Sequence, residues 1–173
     1  MAHLLPGVAV TLCDRDAARA EALAAEVGAG EHGQIGEVDV VTDPVKAAEG
    51  AALVLTMVSF GPDRQSVPAE AFRGDATIVA VDYDMCVPAP VAKKAALFLT
   101  DDREQYLANR TDTQFAGYPE PKSMIGEGIA AGTPRPEGLV LVAHLGAGLA
   151  DVVFGDAILR LAAAQDIGTI LER

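Results

Sequence analysis

VTLCDRD, residues 10–16, ends a strand and opens a helix. Val10 and Leu12 alternate with Thr11 and Cys13, the period of a strand. The acid that follows begins DAARAEALAAE, a run of helix formers. A strand that ends in an acid just before a helix has the form of the second strand of a dinucleotide-binding unit, whose carboxylate holds the adenosine ribose. Such a unit opens with an earlier strand, a glycine-rich loop and a helix, yet only nine residues precede Val10. Asp14 is the candidate ribose ligand, and the first half of its site is not in view.

The same alternation of strand and helix continues outward from this stretch. Short runs rich in Val, Leu and Ile at 8–13, 38–42, 52–58, 76–82, 96–101 and 138–144 predict strands. They are apolar on both faces, as strands covered by helices on both sides are. Helices are predicted at 15–27, 44–49, 68–72, 89–94, 102–110 and 121–131. A last one runs from Leu149 to about Gln165, with Leu149, Val152, Val153, Ala157, Leu161 and Ala164 on one face. The pattern predicts an α/β fold, a Rossmann-like and mostly parallel sheet with flanking helices, in a single domain over 1–173. AGTPRPEG (131–138) is a loop between two halves, and 138–173 supplies a final strand and helix.

Composition narrows the function classes. Half of the 173 residues are hydrophobic and the net charge is −12. No basic stripe is present to replace the counterions of a nucleic acid, so no nucleic-acid partner is expected. No run reaches the roughly 18 apolar residues that a membrane span requires. MAHLLPG is too short and too poor in basic residues for a secretory signal. Cys13 and Cys86 lie in apolar stretches and read as buried thiols of a reducing compartment. A cytoplasmic protein is expected.

Two glycine motifs call for a decision. GAGEHG (28–33) satisfies G-x-G-x-x-G, but it follows a helix and leads into a strand, whereas a phosphate loop must do the reverse. It reads as a turn with Gly28 at the helix C-cap. HLGAGLAD (144–151) does follow a strand and open a helix. Its context fits phosphate approach at Gly146 and Gly148 and tight helix–sheet packing equally well.

AVDYDMC (80–86) is the stronger candidate site. Asp82 and Asp84 fall where ATIVAV ends, the position at which open parallel sheets bind ligands. Strand alternation would turn both carboxylates to one side and Tyr83 to the other, and paired acids there could bind an amine or carry a proton. Solvated loop aspartates are the plainer reading of the same residues. TMVSFGP (56–62) ends another strand with small and polar residues. His3, His32 and His144 form no metal-ligand spacing, so no metal is expected. In TDDREQYLANR (100–110), Asp101 or Asp102 would cap a solvated helix.

The order VTLCDRDAARAEALA, ALVLTMVS, AVDYD, ALFLTDDREQ, IGEGIAAG and HLGAGLADVVFGDAILRLAAAQDIGTIL resembles the ornithine cyclodeaminase/μ-crystallin family over nearly the whole chain. The last block is the most specific, with Gly146, Asp151 and Gly168 in the family's places. DYD, TDDREQ and IGEGIAAG are most similar to a bacterial branch often labelled as one component of a tyramine oxidase. The resemblance implies that this chain is the family's second half, lacking the first strand, the glycine-rich loop and the preceding substrate-binding region. It implies NAD as cofactor through Asp14, with Arg15 leaving NADP possible. Thr56, Met57 and Val58 would line the cofactor, together with Asp82, His144 and Gly146 at neighbouring strand ends. Asp84 would be the catalytic acid that meets the substrate's amino group. After it stands MCVPAP instead of the proline, glycine and lysine usual in the cyclodeaminases.

The activity implied is that of an NAD(P)-dependent amine or imine oxidoreductase, or a cyclodeaminase-like protein, acting on a small amino acid or amine and in truncated form. The alternative is an inactive remnant or a partner-binding subunit. A third reading is a complete small α/β binding protein of another kind. A sheet without its first strand would expose an internal edge, so a homo-oligomer, or pairing with a missing N-terminal segment, is expected.

Overall fold

The computed structural model describes residues 5–29 and 35–169. Within them seven strands and six helices alternate as expected: β1 (Val8–Cys13), α1 (Ala17–Gly28), β2 (Ile35–Val41), α2 (Pro44–Ala48), β3 (Leu53–Thr56), β4 (Thr77–Ala80), α3 (Ala89–Lys94), β5 (Leu97–Thr100), α4 (Arg103–Asn109), β6 (Ser123–Met124), α5 (Ile125–Ala130), β7 (Val140–Ala143) and α6 (Gly148–Ala164). The helix expected at 68–72 is a single 3-10 turn, Ala69–Ala71. Residues 121–124, expected as helix, hold the short strand β6 instead. Gly28 is the last residue of α1, and Gly30–Gly33 of the GAGEHG stretch lie outside the described residues, as do His3 and His32.

Aspartates start three of the helices, α1, α2 and α4. Asp16 accepts from the Ala18 amide at 3.1 Å, Asp43 from Val45 at 2.9 Å and Asp102 from Gln105 at 2.9 Å. Each satisfies an amide that the first helical turn leaves without a partner. Asp102 is thus the cap of α4, and Asp101 is free for other use.

Every strand pairing is parallel, which establishes the Rossmann-like α/β architecture. The strands fall into two sheets, β1-β2 and β3-β4-β7-β5-β6. β7 enters last and is central: Ala80 of β4 and Thr100 of β5 both align with its Ala143. All four of its residues are buried, so both faces are covered. Phe98, Tyr106, Phe115 and Tyr118 form a ring cluster beside it, with neighbouring centroids 4.9–5.9 Å apart.

Cover on both faces does not extend to every strand. β1 exposes Ala9, Thr11 and Cys13, and β3 exposes Leu53 and Leu55. Among the described residues, each of these strands has a neighbour on one edge alone. Cys13 is therefore exposed, contrary to the expectation of two buried thiols, while Cys86 is buried. The helix predicted at the C-terminal end is present as α6, but its large side chains find no cover among the described residues. Leu149, Val152, Val153, Phe154, Ile158 and Leu159 are all at least 59% exposed.

Core and periphery should therefore respond differently to truncation. Leu141→Ala at the fully buried centre of β7 should cost about 2–5 kcal/mol. Leu159→Ala on α6 should cost less than about 0.5 kcal/mol. Urea midpoints at unchanged slope measure both, and equal losses would contradict this placement of the core.

Candidate functional site at the carboxyl ends of the strands

The neighbouring strands β3, β4, β7 and β5 end side by side, and their last residues carry most of the candidate groups. Thr56 ends β3 with Met57 and Val58 after it, Asp82 follows β4, His144–Gly146 follow β7 and Asp101 follows β5. The ladder continues one step past the strands, with Val81 N–H donating to the Thr56 carbonyl at 2.8 Å and His144 N–H to Ala80 at 2.9 Å. This row of strand ends is where open parallel sheets form their ligand crevices.

Two carboxylates tie the row together. Asp82, 2% exposed, accepts from the Thr56 hydroxyl at 2.7 Å and from the Val58 amide at 3.2 Å. Burial, and then the charge of the nearby Asp82, push the Cys86 thiol far up and keep it protonated. Asp101 performs the corresponding task between β5 and β7. Its Oδ2 accepts from the Gly146 amide at 2.7 Å, and both of its oxygens lie 3.0 Å from the Leu145 amide. Burial alone would raise the Asp101 carboxyl, but these two amides and the nearby His144 hold it below the ordinary range. The amides of HLGAGLAD nearest the strand are thus engaged within the protein. An added Cβ at Gly146 would meet nothing within 4 Å, so glycine is needed there for its φ of +91° and not for close approach.

Asp84 lies in a different setting from Asp82. The strand ends at Ala80, and Tyr83 adopts a φ of +62°, so alternation does not govern this turn. In place of a pair of acids facing one way, each carboxylate has its own partners. Asp84 accepts from the Phe115 amide at 2.9 Å and pairs with Arg64 at 2.6 Å. The Arg64 guanidinium also donates to the Asp84 carbonyl at 2.8 Å and to the Thr113 carbonyl at 2.5 Å. Phe115 has a φ of +53° and stacks on Tyr83 at 5.4 Å, so two aromatic residues occupy a strained conformation around this acid. Asp84 opens onto a cleft of about 310 Å³ that Arg64, Ser66, Asp112, Thr113 and Tyr118 also line.

Asp14 and Arg15 stand at the end of β1 in the two-stranded sheet. Asp14 Oδ1 accepts from the Asp16 amide at 2.8 Å. Its other oxygen has no hydrogen bond among the described residues. Met57, Val58, Phe60 and Val81 form an exposed apolar lip near the ends of β3 and β4. Among the described residues no group of His, Cys, Asp and Glu could hold a metal ion, and no helix is long and apolar enough to cross a membrane. Sequence reasoning missed Arg64, Phe115 and the clamp made by Asp101. The last left a signal, since only one of two adjacent aspartates can cap a helix.

No protein-family model and no curated protein matches the chain. Solved structures do. The crystal structure of CmnK superposes with a TM-score of 0.76 at 22% identity, covering 95% of this chain and 49% of that one. The Thermococcus litoralis Δ1-pyrroline-2-carboxylate reductase in complex with NADH and L-proline gives a TM-score of 0.70 at 14% identity, covering 95% of this chain and 53% of that one. This chain has their fold. It spans about half the length of each.

The Asp82 tie makes a stability prediction. Asp82→Ala leaves the Thr56 hydroxyl and Val58 amide without their acceptor and should destabilise the protein by about 3 kcal/mol. A thermal or urea unfolding curve reads this directly, and a loss within about 0.5 kcal/mol would mean that the tie contributes little.

Proposed function

We propose that this chain is the nucleotide-binding part of an NAD(P)-dependent oxidoreductase that acts on the amine or imine carbon of a small amino acid or amine. The observation that carries this reading is the superposition of 95% of the chain on a reductase that holds NADH and L-proline. The cluster of strand-end residues at the carboxyl edge supports it independently. We take the ornithine cyclodeaminase/μ-crystallin family as the finer assignment, on the motifs from VTLCDRD to HLGAGLAD.

The residues present fit the two ends of a dinucleotide, its adenosine ribose and its nicotinamide ring. The second oxygen of Asp14 is available to a ribose hydroxyl, which favours NAD, and the neighbouring Arg15 leaves NADP as the alternative. The apolar lip of Met57, Val58 and Phe60 offers a surface for a flat ring. When bound, the nicotinamide supplies or accepts the hydride that interconverts amine and imine. Asp82 holds the Thr56–Val58 turn in place, and His144 and Gly146 form the wall contributed by β7. Asp84, held by Arg64 and the Phe115 amide, presents a carboxylate to a cationic nitrogen in its cleft and steadies that charge as it develops.

A second reading, a subunit that binds a partner without catalysis, is favoured by the edges of β1 and β3 and the face of α6 that have no cover among the described residues. Both readings lead to the proposal that the chain associates, with a second copy or with a segment that supplies a further strand. Sedimentation at micromolar concentration should show a species larger than 17.9 kDa; a clean, folded monomer counts against association.

NADH titration followed by fluorescence, with NADPH alongside, tests the activity class. Saturable binding in the micromolar-to-millimolar range is expected, with NADH preferred. Asp14→Ala should weaken it by about tenfold, the worth of one hydrogen bond to a charged group. A folded chain that binds neither nucleotide would overturn the oxidoreductase reading in favour of the partner-binding one.

A further inference from the structure

Asp101 receives more hydrogen bonds than a surface aspartate needs. Besides the Leu145 and Gly146 amides, it accepts from the Asp102 amide at 3.0 Å and from the Thr100 hydroxyl at 3.3 Å, and its side chain is 10% exposed. His144 Nδ1 lies 3.6 Å from Oδ2, within ion-pair distance of the carboxylate once the imidazole is protonated. The last ladder bond of β7 is made by the His144 amide, and beyond it the turn into α6 is held by Asp101. Gly146, at a φ of +91°, gives that turn a path that other residues rarely adopt, and the carboxylate selects it.

We infer that Asp101 is a positioning residue for the nucleotide site: by gripping two successive amides it sets the turn that carries His144 and Gly146, and so the wall of the crevice between the β4 and β5 ends. This rests on the dinucleotide reading above. Asp101 touches no ligand in this role. Its effect falls on whatever group lies against the 144–146 turn, at the centre of the five-stranded sheet, and not on the ribose held at the separate β1 end.

Paired ligands separate that role from general stability. NADH and ADP-ribose share the adenosine and diphosphate, and only NADH carries the nicotinamide. In Asp101→Ala, NADH affinity should fall by about tenfold, as losses of supporting partners do. ADP-ribose affinity should stay within about twofold, and amide hydrogen exchange at Leu145 and Gly146 should accelerate. Asp101→Asn retains one acceptor oxygen and should lie between the two proteins; it also serves if the alanine variant does not fold. Asp102→Ala removes the α4 cap and should lower the melting temperature, with both affinities and the exchange of Leu145 and Gly146 unchanged.

Equal loss of NADH and ADP-ribose, unchanged NADH binding, or unchanged exchange at the two amides would each overturn the inference. A wild-type chain that binds neither ligand would instead remove the dinucleotide reading, and this inference with it.

Discussion

A buried carboxylate solvated by neutral donors holds the carboxyl edge of the larger sheet together. A charge in a protein interior persists only where donors replace its water. Asp82 meets that demand with a hydroxyl and an amide. The donors come from the end of β3 and the acid from the turn after β4, so solvating the acid fixes both. β3 needs this most, being paired along one edge only among the described strands. The apolar lip at Met57–Phe60 takes its starting point from the same tie. Asp101 repeats the device between β5 and β7, and the two carboxylates together secure four strand ends.

The turn at Asp84 shows another way of holding an acid. Arg64 clamps the carboxylate and two backbone carbonyls at once, as a planar guanidinium with several donors can. Tyr83 and Phe115 accept left-handed backbone on either side, at a cost of order 1–3 kcal/mol each. Their mutual stack and the surrounding ring cluster offset that cost. Strain concentrated around one carboxylate is consistent with a side chain whose direction matters more than local stability.

Alternation and helix spacing are enough to read the strand–helix series, the parallel sheet and the aspartate cap of α4 from sequence. Short-range rules fail where long-range partners decide. Alternation would face Asp82 and Asp84 one way, but the strand stops at Ala80 and each acid finds a different set of donors. Arg64 lies 20 residues from Asp84, and Leu145 lies 44 from Asp101, so no local pattern announces either contact. Cys13 sits in an apolar run, but on a strand whose outer face has no cover among the described residues. HLGAGLAD suits phosphate approach and packing equally on local context, and only the distant Asp101 decides what its first two loop amides do.

The division of the strands into two sheets bears on how the molecule unfolds. Cooperativity in an α/β protein is carried largely by its continuous hydrogen-bonded ladder, and here the described strands form two separate ladders. Helix α2, of five residues, packs on β1, β2 and the 3-10 turn at Ala69–Ala71 and so provides a side-chain link between the units. A bridge of that size couples weakly. The β1–α1–β2 unit is free to melt before the five-stranded body, so the unfolding of variants at Asp82, Asp102 or Leu141 reports on that body and not on the whole chain.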